Sequence, residues 1–523
     1  MRFNFLIIIS LFNFLFSEIP ERRVVAEWEP ALGSMIRWPL GIPLDLVVEL
    51  AEDDILYVLV ENSTQQNLAQ NSFNSFNVNM SNVQFIFTET YSHWTRDHGP
   101  KFLIGENHWE VINQQFNGYP VESGCESLNN FNNYEQGRPL PSLDYRGWEE
   151  DDDTNVDFAN QMNWDILDLP LFWTGGNFMT DGYGMGFSTE LMVNENNLDE
   201  NDFKNIIREQ LNINDYHIFE NPNEESIQHI DCMAKLVGPE TIIIKQVAES
   251  SPEYECMEDF ADSFYTLNTF YGRPFKIFRI FCPEISSYWW EVNPVAAYTN
   301  SLILNNKVLV PQYGIPEDIN ALNVFQEAMP GYEVIGFNNN TEDPWLGEDA
   351  LHCRTMGIFD PNMIHISHKA IRSEEIVNNS SIGIQTNIVD YTDLNTSLES
   401  VILYWKYSSE DGPFSEINLN FESNNIFTGI FPNLNPNSQI DYYITAVNSL
   451  GNTSSHPNAG WHIFNTLDFI LGDINLDSSV NIQDVILVIN LIINNEFNDL
   501  ADMNLDNTLD VLDVVQLVNI ILN

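Results

Sequence analysis

Basic residues are scarce in this chain. Its 523 residues include 20 Lys and Arg against 76 Asp and Glu, a formal net charge of −56. Such a surface repels phosphate backbones and anionic lipid, so nucleic acid is excluded as a partner. It attracts cations: calcium, and substrates that carry guanidinium or ammonium groups. The same charge also keeps a protein soluble in a salty exterior, and that plainer reading stands beside the first. Cysteine is scarce as well, with Cys125, Cys232, Cys256, Cys282 and Cys353 making the whole set. None forms a C-x-x-C pair, which disfavours a structural zinc site or a thioredoxin-like motif. Beyond the N-terminus no uncharged stretch reaches the length needed to cross a bilayer. Hydrophobic residues are not lacking. At 44%, with 12% aromatic, they support a large core and exclude global disorder.

The N-terminus reads MRFNFLIIISLFNFLFSEIPE, with one Arg before an apolar run from Phe5 to Phe16. That is the shape of a secretory signal peptide, expected over residues 1–17, and it makes the protein an exported one. In an exported chain four of five cysteines can pair, among them Cys125, Cys256 and Cys282, and the odd thiol invites a reactive role.

The length points to roughly two to four domains. From 18 to 374 short Val- and Ile-rich runs such as DILYVLV, VQFIFTE, TIIIKQVA and KIFRIFC alternate with amphipathic segments such as LDENDFKNIIREQLNI. This is an α/β pattern. The stretch 122–157 breaks the rhythm and reads as a long loop or insertion. From 375 to 467 alternating strands with polar turns predict a β-sandwich of the immunoglobulin or fibronectin type.

Residues 468–523 repeat themselves with a period of 29, aligning Asp473 with Asp502. Each copy sets oxygen side chains at loop positions that point to one centre: Asp473, Asn475, Asp477, Ser479 and Asp484, then Asp502, Asn504, Asp506, Thr508 and Asp513. Calcium takes six to eight such hard oxygens. The Gly that an EF-hand needs mid-loop is missing, and the last ligand is Asp rather than Glu. The segment resembles a dockerin, with one apolar helix after each loop. The resemblance implies bound Ca2+ and a cohesin-like docking partner; a stand-alone stabilising cap is the plainer alternative.

Polar clusters punctuate the α/β region. HWTRDHGP holds Trp94, Arg96 and Asp97. TGGN holds Gly175, Gly176 and Asn177. HIDC alternates His229 and Asp231, which a strand would turn to one face. AYTNS holds Asn300, and GEDALHCRTMG holds Cys353. One thiol, one imidazole and two carboxylates suit one chemistry well. Two carboxylates hold a planar guanidinium, the thiolate attacks its carbon, and the imidazole protonates the leaving nitrogen and then activates water.

Together with AEWEPALGSMIRWP and AYTNSLILNNKVLVP, these motifs resemble the agmatine deiminase and bacterial peptidylarginine deiminase family over roughly residues 24–372. The resemblance implies a five-bladed α/β propeller, the pentein, with the site at its centre. It implies Cys353 as nucleophile, His229 as general acid and base, Asp97 and Asp231 as guanidinium holders, and Asn300 as a further site residue. Trp94 and Arg96 would contact substrate, the Gly175–Asn177 turn would shape the pocket, and catalysis would need no cofactor. Cys232, alternating with Asp231, is expected to point away as a core thiol.

The expected function is conversion of peptidyl arginine to citrulline and ammonia. Agmatine deimination and a non-catalytic pentein scaffold are the alternatives, and amine capture of the intermediate would give an amidinotransferase. The segment QQFNGYPVES lacks the Arg pair that family members selective for C-terminal arginine carry there. Arg138 and Arg146 are the candidates to replace it.

Overall fold

The computed structural model describes residues 20, 22–105, 108–118, 148–223, 228–286, 294–338, 344–376, 382–392, 396–467, 470–477, 479–504, 506 and 508–522. The expected signal peptide, Cys125, Arg138 and Arg146 lie outside them.

Five small sheets form the first two thirds of the chain. Each is built on one plan: an antiparallel pair, then a helical crossover to a parallel strand. Leu302–Leu304 pairs antiparallel with Lys307–Gln312, helix Glu317–Ala328 follows, and Glu333–Asn338 adds in parallel. Ala234–Gly238, Thr241–Gln246 and Lys276–Phe281 repeat it around helix Tyr254–Thr266. Met179–Thr180, Met185–Thr189 and Asp215–Phe219 do so around helix Glu200–Leu211. Lys101–Gly105, His108–Gln115 and Asp165–Phe172 do so around helix Thr154–Met162. The fifth sheet closes the ring, because Met356–Phe359 pairs antiparallel with the early strand Ala31–Arg37, which lies parallel to Ile55–Val60.

The helices form for local reasons. In Glu200–Leu211, Asp199 caps the start by accepting from Asp202 N at 2.9 Å, and Asn212 ends it in the left-handed region. Phe203, Ile207 and Leu211 fall at four-residue spacing and are buried; each contributes roughly 1.5–3 kcal/mol.

The end of the expected insertion is helical rather than loop, in Trp148–Asp152 and Thr154–Met162. Part of its acidic run is turned inward. Asp151 is buried and accepts from Tyr91 N at 2.8 Å and Ser92 N at 3.2 Å, and Asp152 accepts from Phe116 N at 2.5 Å. Backbone donors from loops distant in sequence stabilise these carboxylates, which no local pattern reveals.

Two antiparallel sheets follow, packed over an apolar core that includes Leu403, Ile440, Tyr442, Ile444 and Phe464. Their first strand, Ile364–His368, precedes residue 375 and pairs with Gly383–Asp390. The two units are clamped together. Arg273 donates twice to Glu240 at 2.5 Å, and also to Glu375 at 2.9 Å and Ala370 O at 2.6 Å. Gly331 (φ +85°) and Gly460 (φ +66°) meet so closely that a Cβ on the first would stand 2.5 Å from the Cα of the second.

The C-terminal repeat is visible in three dimensions. Asp484 Oδ1 accepts from Ile474 N at 2.9 Å and Asp513 Oδ1 from Met503 N at 2.8 Å. Asp473 and Asp502 each accept from the backbone N–H four residues on, at 3.0 and 3.2 Å. Helices Ile482–Asn494 and Val511–Leu522 follow the loops and pack together through Val488 and Leu517.

Candidate active site

The turn just before the first strand of each blade faces the middle of the ring. Helical turn Thr95–His98 carries Asp97, and Gly175–Asn177 is a 3-10 turn. Ile230–Cys232 is another, preceded by His229 and carrying Asp231. The bend before Leu302 carries Asn300, and the turn before Met356 carries Cys353. Five segments spread over more than 250 residues thus meet in one place.

Gly176 marks the meeting point. A Cβ there would lie 2.8 Å from Asp97 Oδ1, 2.8 Å from His229 Nδ1 and 3.0 Å from Asp231 Oδ2. Only a residue without a side chain lets these three groups converge. Gly176 N donates to Asp97 Oδ1 at 2.8 Å, and His229 Nδ1 is 3.6 Å from the same oxygen. Asn177 ties the turns together, accepting from Thr189 N at 3.0 Å and Ile230 N at 3.3 Å. It is a fastener for the turn.

Cys353 Sγ lies 3.9 Å from Asp231 Oδ2. Asn300 Nδ2 donates to that sulfur at 3.2 Å, and Asn300 Oδ1 accepts from Cys353 N and Ala350 N, each at 3.2 Å. One amide therefore shapes the nucleophile's turn and supports negative charge on its sulfur. All five groups are buried. Trp94 is half-buried with its ring edge-to-face on His93.

Two placements differ from expectation. Arg96 does not face the carboxylate pair. Its guanidinium lies 3.2 Å from Glu27 and reaches His352 O at 3.4 Å, which spares a guanidinium substrate from a like charge. Cys232 sits on a 3-10 turn, where strand alternation does not apply, and its thiol shares Asp231 and Glu348 O with Cys353 instead of pointing away. Cys282 is a free thiol, whereas Cys256 is disulfide-bonded.

Glu27 and His352 belong to the site as well, although neither stands out by residue type. His352 bridges Asp231 Oδ2 at 2.7 Å and Glu27 Oε2 at 2.5 Å, and Lys235 meets Glu27 at 2.5 Å. Burial works to raise the Asp231 carboxyl. The hydrogen bond and charge of His352, with His229 and Lys235, outweigh it and hold Asp231 below the ordinary carboxylate range. Asp231 thus stays anionic in a buried place. A cavity of about 90 Å³ adjoins this network, lined in part by Glu27, Arg96, Lys101, Asp231, Lys235 and His352.

The Cys353 thiol receives opposing influences. Its hydrogen bond with Cys232 lowers its pKa, but burial and the charges of Asp231, Asp97 and Asp349 push it up to about 11. At neutral pH the resting sulfur is a thiol. Alkylation of Cys353 by iodoacetamide is therefore expected to accelerate about tenfold per pH unit between roughly pH 7 and 10. Peptide mass spectrometry after timed alkylation measures this, and a plateau near pH 8 would contradict it.

The comparisons agree with this geometry. Residues 23–358 match the model of the Porphyromonas-type peptidyl-arginine deiminases. The chain belongs to that family. It is a deiminase, a hydrolase acting on amidine C–N bonds. Among curated relatives, a protein of Lactococcus lactis subsp. lactis named "Putative agmatine deiminase" is 26% identical over 299 residues, 53% of this chain and 76% of its own. One of the same name from Enterococcus faecalis is 26% identical over 295 residues, 50% of this chain and 73% of its own. The solved agmatine deiminase of Enterococcus faecalis superposes with a TM-score of 0.53 at 20% identity, covering 65% of this deiminase and 96% of the other chain. The expected pentein-like α/β fold is thereby borne out for the ring of five blades.

Proposed function

We propose that this deiminase hydrolyses the guanidinium of a guanidinoalkyl substrate through a covalent intermediate on Cys353. The convergence of Asp97, His229 and Asp231 on Gly176, with Cys353 beside Asp231, carries the proposal. A guanidinium between the two carboxylates cancels the charges that keep the thiol protonated, so substrate binding favours the thiolate. The thiolate adds to the guanidinium carbon. The tetrahedral adduct expels ammonia as His229 supplies a proton, leaving a thiouronium. Water, deprotonated by His229, then adds to the same carbon, and collapse frees the ureido product and the thiolate.

Agmatine, giving N-carbamoylputrescine, is the substrate that the relatives' names favour. Peptidyl arginine, giving citrulline, is the second reading and rests on the description of the matching family. The deciding assay measures ammonia and ureido product from agmatine, from a peptide with internal arginine and from one with C-terminal arginine. Turnover of agmatine alone supports the first reading, and turnover of peptides the second. A folded protein inactive on all three would return the scaffold reading.

The apolar run Phe5–Phe16 and the disulfide at Cys256 support export to an oxidising compartment. For the C-terminal repeat we keep the dockerin reading, with Ca2+ on the loops and a cohesin-like partner on the exposed stripe Ile482, Ile486, Ile489 and Ile493. The matching spacing and hydrogen bonding of the two loops support it. However, among the described residues no group of three or more His, Cys, Asp or Glu side chains gathers as a metal site. Binding would therefore have to exchange the loops' internal hydrogen bonds for the ion. Calcium added to the chelator-treated full chain is expected to stabilise this module by about 3 kcal/mol at a hundredfold excess over Kd. Calorimetry showing no calcium-dependent transition would leave the repeat as a structural cap.

A further inference from the structure

The second thiol in the site is not used by the hydrolysis described above. Cys232 Sγ lies 3.5 Å from Glu348 O, and Cys353 Sγ lies 3.8 Å from the same oxygen. The two sulfurs also share the Asp231 carboxylate, at 3.5 Å from Oδ1 and 3.9 Å from Oδ2. Both cysteines are free and buried. Each thiol lies near enough to the other to shift its titration. Cys232 reaches this position because the 3-10 turn that presents Asp231 presents the next residue too. Nothing in guanidinium chemistry requires a second sulfur here, since Asn300 already supports the nucleophile.

We propose that Cys232 is a resolving thiol, which captures oxidised Cys353 as a reversible Cys232–Cys353 disulfide and so switches the deiminase off under hydrogen peroxide. The small fraction of Cys353 that has lost its proton attacks a peroxide oxygen. The O–O bond breaks, water leaves after protonation, and Cys353 becomes a sulfenic acid. The Cys232 thiolate attacks that sulfur, an S–S bond forms, the S–O bond breaks and a second water leaves. In sum, two thiols and one hydrogen peroxide give one disulfide and two waters. The sulfurs must close to about 2.05 Å to bond. A thiol that shares Glu348 O and the Asp231 carboxylate with the nucleophile is placed to intercept the sulfenic acid before further peroxide takes it to the irreversible sulfinic acid. The disulfide withdraws the nucleophile while it lasts, and a thiol reductant restores it. Cys282 offers an internal control, because its sulfur instead contacts Ile280 O at 3.5 Å.

The test treats the full chain with hydrogen peroxide, traps remaining thiols with iodoacetamide and maps peptides by mass. The expected result is a cross-linked peptide joining Cys232 to Cys353, lighter by two hydrogen atoms than its reduced parts. Dithiothreitol should separate it, and Cys282 should remain alkylatable. This readout needs no substrate, so it stands apart from the deiminase reading. A Cys353 peptide heavier by two oxygen atoms, with Cys232 still alkylatable, would overturn the proposal. As a second arm, peroxide-treated wild type should regain activity with dithiothreitol, whereas Cys232→Ala should lose it permanently as Cys353 over-oxidises. Equal recovery in both proteins would also overturn the proposal.

Discussion

Cys353→Ala is expected to lower turnover of every guanidino substrate by about 10⁴-fold or more while leaving binding largely intact, because it removes the thiol that Asn300 supports beside Asp231. The substitution removes one buried sulfur and keeps the backbone hydrogen bonds from Cys353 N to Asn300 Oδ1 and from Arg96 N to Cys353 O. The turn should therefore hold its shape, and Asp97 and Asp231 should still capture the cation. Calorimetric binding of the substrate to the inactive variant, beside ammonia release from the wild type, checks both halves. Residual turnover within tenfold of the wild type would remove Cys353 from the mechanism.

Asp231→Asn is expected to cost about 10³-fold in kcat/KM, with KM rising as well as kcat falling. The substitution removes one of two charges that hold the guanidinium. It also disturbs the far side of the carboxylate, where His352 Nδ1 bonds at 2.7 Å and leads on to Glu27, Lys235 and Arg96. An amide there either turns its NH2 against His352 or offers that hydrogen to the substrate cation. Asp97→Asn, lacking this network, should affect KM more than kcat. Steady-state kinetics on both variants separate the two roles, and equal effects on each parameter would show that the His352 network contributes nothing to turnover.

The two variants also show how much of the site was legible beforehand. Cys353, His229, Asp97, Asp231 and Asn300 were found by residue type and by motif order, and the structure gathers all five. Cys232 departs from the strand expectation because it sits on a 3-10 turn. Arg96 departs too, since its charge suggested substrate contact although its partner is Glu27, 69 positions upstream. Glu27 and His352 gave no signal as residue types, because a lone Glu or His is usually solvated or a satisfied core group. Their role depends on partners brought in from other blades.

Sequence alone determined what depends on near neighbours. The runs DILYVLV and TIIIKQVA became the strands Ile55–Val60 and Thr241–Gln246 because β-branched and aromatic residues suit a pleated, buried surface. The capped helix Glu200–Leu211 and the repeat of 29 residues were equally legible, since caps and loop ligands act within a few positions. Tertiary structure decided everything that depends on ring closure. Only when Met356–Phe359 pairs with Ala31–Arg37 do five separate turns face one axis. Only then do two carboxylates, an imidazole and two thiols share one buried space, because side-chain convergence across blades follows from sheet pairing and not from spacing along the chain.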